Sequence, residues 1–292
     1  MIIDLILLIL GLLGLIIASY SDIKTTEIPD WLSYSLIISG FSLRMLHTIV
    51  NKDITYTSTA LITFGIFFLV SNLMYYTKQW GGGDTKLLMA VSVIFATYPQ
   101  NILDFFSPKL DNFYFPITIF INILLVGAIY SFMFIIYSSL KHKKEFLKEY
   151  KKYLEHTKNP RKVILVLSIL LIILAFVMGS ILTKIFLFAG AVSILVFLYI
   201  WIFVKSVEKS CMYTLISPSK LLEGDWLTKD IYYKNKLILK KPEYGVTKKD
   251  ILILKKYKIK NVEIKKGLVF TPSFIIGTLT ALIFGNPINY LF

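Results

Sequence analysis

Apolar residues along this chain fall in long runs, most of them close to the roughly 20 residues that a helix needs to cross a hydrocarbon core. Eight runs are predicted as transmembrane helices: Ile2–Tyr20, Trp31–Val50, Thr57–Thr77, Asp84–Tyr98, Phe115–Leu140, Val163–Leu182, Phe186–Val204 and Leu268–Phe284. The fourth is short, and only a Thr183–Lys184 turn divides the sixth from the seventh, so seven or nine spans also fit the pattern. Ile2–Tyr20 has neither the basic leader nor the small-residue cleavage site of a signal peptide, and it is read as a retained helix.

The polar stretches between the runs orient them. Lys141–Lys162 carries nine Lys and Arg residues and is placed in the cytoplasm by the positive-inside rule. Alternation then puts Ser21–Asp30, Tyr76–Gly83 and Lys205–Gly267 on that same side. Asn51–Tyr56, Pro99–Asn112 and the Lys184 turn fall outside, holding only Lys52, Lys109 and Lys184. Hydropathy and charge agree on one topology, with both termini outside and the chain in the cell membrane.

Composition adds little that the pattern has not said. A hydrophobic fraction of 56% and a mean hydropathy of +0.68 lie above those of soluble domains. The net charge of +14 sits mostly in the two long cytoplasmic segments, where anionic lipid headgroups attract lysine, so no nucleic-acid partner is needed. The lone Cys211 excludes an intramolecular disulfide framework and a four-cysteine zinc site. His47, His142 and His156 are scattered, and no Ser-His-Asp or Cys-His arrangement is built from them. Neither a metal nor a cofactor is expected.

The expected fold class is an all-α polytopic membrane protein of about eight transmembrane helices with a small mixed α/β cytoplasmic domain. Residues 1–140 form a catalytic membrane unit and residues 141–205 a basic cytoplasmic segment plus two transmembrane helices. Residues 206–267 form the small cytoplasmic domain, and residues 268–292 the last transmembrane helix. Within 206–267, Thr247 reads as the N-cap of a helix running to about Lys256, with Asp250 reaching back to it. Leu237–Leu239 and Val262–Ile264 alternate like short strands.

Acids are scarce in the first 140 residues. Asp4 lies at the outer end of the first helix, and Asp53, Asp104 and Asp111 in outside loops, leaving Asp22, Glu27, Asp30 and Asp84 on the cytoplasmic side. Asp22 directly follows an apolar run, and Asp84 opens another after Gly81, Gly82 and Gly83. A carboxylate at membrane depth is costly, which marks it as a functional candidate. The glycines free the backbone and permit close approach, and a helix start at Asp84 favours negative charge. Singly, Asp22 also reads as a helix-end acid at the water boundary, and Gly81–Asp84 as a turn with an Asp cap. The pair is more specific. Two neighbouring carboxylates share a proton, so one acts as base on a water while the other polarises a peptide carbonyl. Spacing does not say which one holds the proton.

Asp22-Ile-Lys-Thr-Thr-Glu27-Ile-Pro29-Asp30-Trp-Leu resembles the first aspartate motif of type IV prepilin peptidases, and Gly81-Gly82-Gly83-Asp84-Thr-Lys86-Leu resembles their Gly-x-Gly-Asp motif. Leu222-Glu-Gly-Asp225-Trp-Leu through Lys266-Gly-Leu-Val-Phe-Thr-Pro272 is similar, less specifically, to the C-terminal part of some archaeal members. The resemblance implies a membrane aspartyl endopeptidase with Asp22 and Asp84 as its dyad. Such an enzyme removes short basic leaders from precursors of pilin-like proteins or archaeal flagellins at the cytoplasmic face. The paired Cys-x-x-Cys motifs of the bacterial members are missing, so no methyltransferase activity is expected. Glu27 and Asp30 are candidates to meet the basic leader, although Asp30 equally reads as the cap of the helix from Trp31. Gly81, Gly82 and Gly83 are candidates to admit the peptide, and Lys86 to orient a carboxylate or hold headgroups.

Other readings are a presenilin-like intramembrane protease, an ion-coupled transporter using the same carboxylates, and a membrane scaffold. The first lacks its Pro-Ala-Leu motif here, and the second lacks matching halves.

Overall fold

A computed structural model of the chain describes residues 2–110, 114–243 and 245–290. The helices are α1 (Ile2–Thr25), α2 (Asp30–Asn51), α3 (Ile54–Tyr76), α4 (Gly82–Ile94), α5 (Leu103–Phe106), α6 (Phe115–Lys141), α7 (Lys143–His156), α8 (Lys158–Val177), α9 (Ile181–Val207), α10 (Lys248–Lys256) and α11 (Thr271–Phe284). Five strands lie between α9 and α11: β1 (Tyr213–Ile216), β2 (Trp226–Leu227), β3 (Ile231–Tyr233), β4 (Lys236–Leu239) and β5 (Val262–Lys265). Two of the acids and amides assigned to an outside loop, Asp111 and Asn112, lie outside the described residues.

Among the described residues, five helices are long and apolar enough to cross a membrane: α1, α3, α6, α8 and α9 with its continuation to Met212. This is the signature of a multi-pass membrane protein. The other three expected spans are helical at the expected places, but the apolar run of α2 is broken by Arg44 and His47, while α4 and α11 have 13 and 14 residues. At 1.5 Å per residue those two cover about 20 Å, short of a hydrocarbon core of about 30 Å. The expected fourth span stops being helical at Ile94, and Phe95–Tyr98 continues as buried irregular chain. The expected Thr183–Lys184 turn is corrected. Helix α8 ends at Val177, the break falls at Met178–Gly179–Ser180, and Thr183 and Lys184 lie inside α9. A lysine one turn from a helix start can carry its charge toward water along its own stem, so it need not mark a turn.

Contacts divide the chain into two units, Met1–Phe132 with Leu268–Phe292, and Met133–Gly267. In the first, α4 is buried over most of its surface from Leu87 onward and lies in the core, packed by α1, α2 and α3. Helix directions follow from the contacts at its two ends. Lys86 near the start of α4 meets Asp30 at the start of α2, and Val93 and Ile94 at its end meet Arg44 late in α2. These two helices therefore run the same way. Tyr56, early in α3, donates to Asp4 near the start of α1, so α1 and α3 share the opposite direction.

Helix α11 packs on α1 and, through Gly277, directly on the backbone of α6. A Cβ at Gly277 would lie 2.7 Å from the Ile123 Cα and nitrogen. Gly277→Val is therefore expected to push the two helices apart and cost about 1–3 kcal/mol. A lowered midpoint of thermal unfolding in detergent checks this, and an unchanged midpoint contradicts the packing.

In the second unit, α8 and α9 form a hairpin and the amphipathic α7 lays its aromatic side on α9, Phe146 against Phe203 and Tyr153 against Trp201. The strands form an antiparallel sheet in the order β1–β5–β2 and a hairpin of β3 with β4. Both lie around Leu221, Leu227, Ile231, Leu239, Val246, Leu254, Val262 and Ile264. The expected cap of α10 is present: the Thr247 hydroxyl accepts from the Asp250 N–H at 3.3 Å, and the Asp250 carboxylate accepts from the Thr247 N–H at 2.8 Å. Gly224 and Gly245, both at positive φ, cross so closely that a Cβ on Gly245 would sit 2.3 Å from the Gly224 carbonyl oxygen. Only glycine fits that crossing.

Candidate active site

The end of α1 and the starts of α2, α4 and α11 converge at one end of the first unit. Asp22, in the last turn of α1, is 9% exposed, and its Oδ2 accepts a hydrogen bond from the Thr271 hydroxyl at 2.7 Å. Asp84 is the third residue of α4 and half-buried. Its Oδ2 accepts from the Gly81 N–H at 3.4 Å, which is half of a capping box, since glycine has no side chain to return the bond. The other oxygen of Asp84, Oδ1, is buried without a hydrogen-bond partner. Asp22 and Asp84 lie close enough for their charges to interact. The two acids singled out in the sequence therefore lie at the same end of the unit, although 62 positions separate them. Asp84 also lies in the first turn of α4, where the helix dipole supports negative charge.

The surrounding candidates sort differently. Asp30 is the first residue of α2, whose N-cap is Pro29, and its side chain makes no capping bond. The capping role for Asp30 is thereby corrected. The Asp30 Oδ1 instead accepts from Lys86 Nζ at 2.6 Å, in an exposed ion pair. Lys86 also lies 5.6 Å from the Tyr34 ring centre. Glu27 is exposed in the α1–α2 connection, and its carboxylate makes no ion pair among the described residues.

None of Gly81, Gly82 and Gly83 has a positive φ, so the expectation that they free the backbone is corrected. Gly83 acts through close approach. A Cβ there would stand 3.0 Å from Ile28 Cβ, and this contact holds the α1–α2 connection against α4. Beside them, Trp80 packs on Phe120, Phe270 and Phe274, an apolar wall between the α4 start, α6 and α11.

Two buried polar features escaped the sequence. Thr271 is one; a threonine ahead of a proline at a helix start reads as an ordinary cap, and only its burial against Asp22 distinguishes it. The second is at the far end, where Arg44, Tyr56 and Asp4 form a buried polar cluster around the end of α4. An arginine inside an apolar run was the available signal. Among the described residues, no group of three or more His, Cys, Asp or Glu side chains is placed to hold a metal ion, and Cys211 is free.

The segment that builds this end of the unit, from α1 through the first half of α6, carries both acids and the glycine turn. Residues 9–132 match the type IV leader peptidase family. Over 163 residues, 52% of this chain, it is 33% identical to the prepilin peptidase EppA of Methanothermobacter thermautotrophicus, covering 42% of that protein. Over 117 residues, 39% of the chain, it is 31% identical to a preflagellin peptidase of Methanocaldococcus jannaschii, covering 50% of it. A preflagellin peptidase of Methanococcus voltae is 30% identical over 147 residues, 48% of the chain and 62% of that protein. The chain thus spans between two fifths and two thirds of the length of these leader peptidase relatives. No solved structure matches it. The leader peptidase match covers Asp22 and Asp84 but ends well before Thr271.

Proposed function

We propose that this chain is a membrane aspartyl endopeptidase that removes short basic leaders from type IV pilin-like or archaeal flagellin precursors. The observation that carries the reading is that two acids from different helices share one end of the unit, within range of each other's charge, one of them with a buried, unpartnered oxygen. In the proposed reaction Asp22 and Asp84 share one proton. The ionised member takes a proton from a water whose oxygen attacks the scissile carbonyl, while the protonated member donates to the carbonyl oxygen. Collapse of the tetrahedral diol then breaks the C–N bond, and the leaving amine takes up a proton from the dyad.

The family and relatives' names support the precursor class. The charge pattern supports an eight-span topology with the dyad at the cytoplasmic face, and anionic lipids around the lysines of 141–162. Substrate contacts are proposed for Glu27, Asp30, Gly81, Gly82, Gly83 and Lys86. Because Lys86 already neutralises Asp30, Glu27 is the acid best disposed to meet a leader lysine or arginine. An exposed pair contributes about 0.2–1 kcal/mol. Glu27→Gln should accordingly raise KM by up to about fivefold for a basic leader and leave a neutralised leader unaffected. Asp30→Asn should do less. Equal KM values for the two leaders with wild-type chain would remove this part of the proposal.

The whole reading is tested by incubating detergent-purified chain with pilin-like and flagellin precursors and sequencing the product. A single cut between the basic leader and the apolar helix is expected. Intact precursors of both kinds would overturn it.

A further inference from the structure

We infer that Thr271 is a positioning residue for Asp22, so that the start of α11 completes an active site otherwise contained in α1–α4. The inference rests on the peptidase reading above. Thr271 is fully buried, at 0% exposure, and its hydroxyl donates to Asp22 Oδ2 at 2.7 Å. A threonine at a helix start ordinarily turns its oxygen inward, to accept an N–H two or three residues further on. Here the hydroxyl proton is directed instead to a carboxylate on another helix, 249 positions away. That bond occupies one Asp22 oxygen and fixes the plane of the carboxyl group, whose terminal torsion is otherwise broad.

The chain around Thr271 is built to hold it there. The Phe270 ring fills the space left by Gly127, where a Cβ would stand 2.3 Å from the ring, and it packs on Trp80. Gly277 seats α11 on the α6 backbone six residues later, less than two turns along the helix. The two acids are therefore held unequally. Asp22 is clamped by a side-chain hydroxyl, and Asp84 only by a long bond from a glycine N–H. A hydroxyl that served merely to anchor α11 would affect stability and not turnover.

Thr271→Val keeps the shape and removes the donor. It should lower kcat for precursor cleavage by about 10- to 100-fold, the scale of a misplaced catalytic group, with KM within about twofold. Thr271→Ser retains the donor and should stay within about threefold of wild type. Thr271→Cys, a small side chain with a weak donor, should lose kcat even if the valine variant does not fold. Wild-type kcat in both the valine and cysteine variants would overturn the inference. So would a serine variant as slow as they are, or a change confined to KM. If wild-type chain leaves every precursor intact, the peptidase reading falls. If wild type cuts, Asp22→Asn does not, and Thr271→Val retains full kcat, only the role of Thr271 falls.

Discussion

Asp22→Asn and Asp84→Asn should each reduce cleavage of a leader-bearing precursor by about 100- to 10,000-fold, the range expected when one partner of a general acid–base pair is lost. Asparagine has nearly the size of aspartate and can still accept the Thr271 hydroxyl or the Gly81 N–H at the respective position, so the local packing should survive. What it lacks is a proton to give or a lone pair basic enough to take one. Because a dyad shares one proton, the double variant should be no slower than the slower single one. Unequal behaviour, with one variant dead and the other near wild type, would mean that a single acid does the chemistry. Thermal unfolding in detergent, unchanged in both, separates loss of chemistry from loss of fold.

Arg44→Leu should be the most damaging change to stability, at about 3–5 kcal/mol, and its effect originates far from the dyad. Arg44 is 1% exposed. Its Nε donates to the Val93 carbonyl at 2.9 Å and its Nη2 to the Ile94 carbonyl at 3.1 Å, with further bonds to Thr97 and the Tyr56 carbonyl. A 13-residue helix ending inside an apolar core leaves its last carbonyls without donors. The guanidinium fork supplies several at once and brings positive charge to the negative end of the helix dipole. It also stacks over the Tyr56 ring, whose hydroxyl in turn donates to the buried Asp4. Leucine would orphan the carbonyls and remove the attraction between Arg44 and Asp4. Arg44→Lys should recover part of the loss, since an ammonium reaches one or two of these acceptors. Unfolding midpoints for both variants check the ordering, and an unperturbed Arg44→Leu protein would contradict it. Because α4 carries Asp84 at its other end, lowered activity is expected to accompany lowered stability.

The placement of the helices was legible because a membrane-spanning helix must be apolar over its length, and such runs are visible one residue at a time. The same holds for the capping box of α10 and for the strands around Leu237–Leu239 and Val262–Ile264, all set by neighbours in the chain. Asp22, Asp84 and the glycine turn stood out because charge and glycine at the ends of apolar runs are costly without a use. Tertiary structure alone decided what those residues touch. Whether Asp30 capped a helix or paired with Lys86 depended on two helices running in parallel. The role of Gly83 depended on Ile28 arriving across from it. The break between α8 and α9 fell at Gly179 and not at the charged residue, because a lysine can leave apolar surroundings along its own stem and a helix need not end for it. Arg44 and Thr271 were hidden for a common physical reason. Hydropathy records what a side chain costs in lipid, whereas their meaning lies in a partner supplied by a distant segment, the carbonyls ending α4 for one and the carboxylate ending α1 for the other.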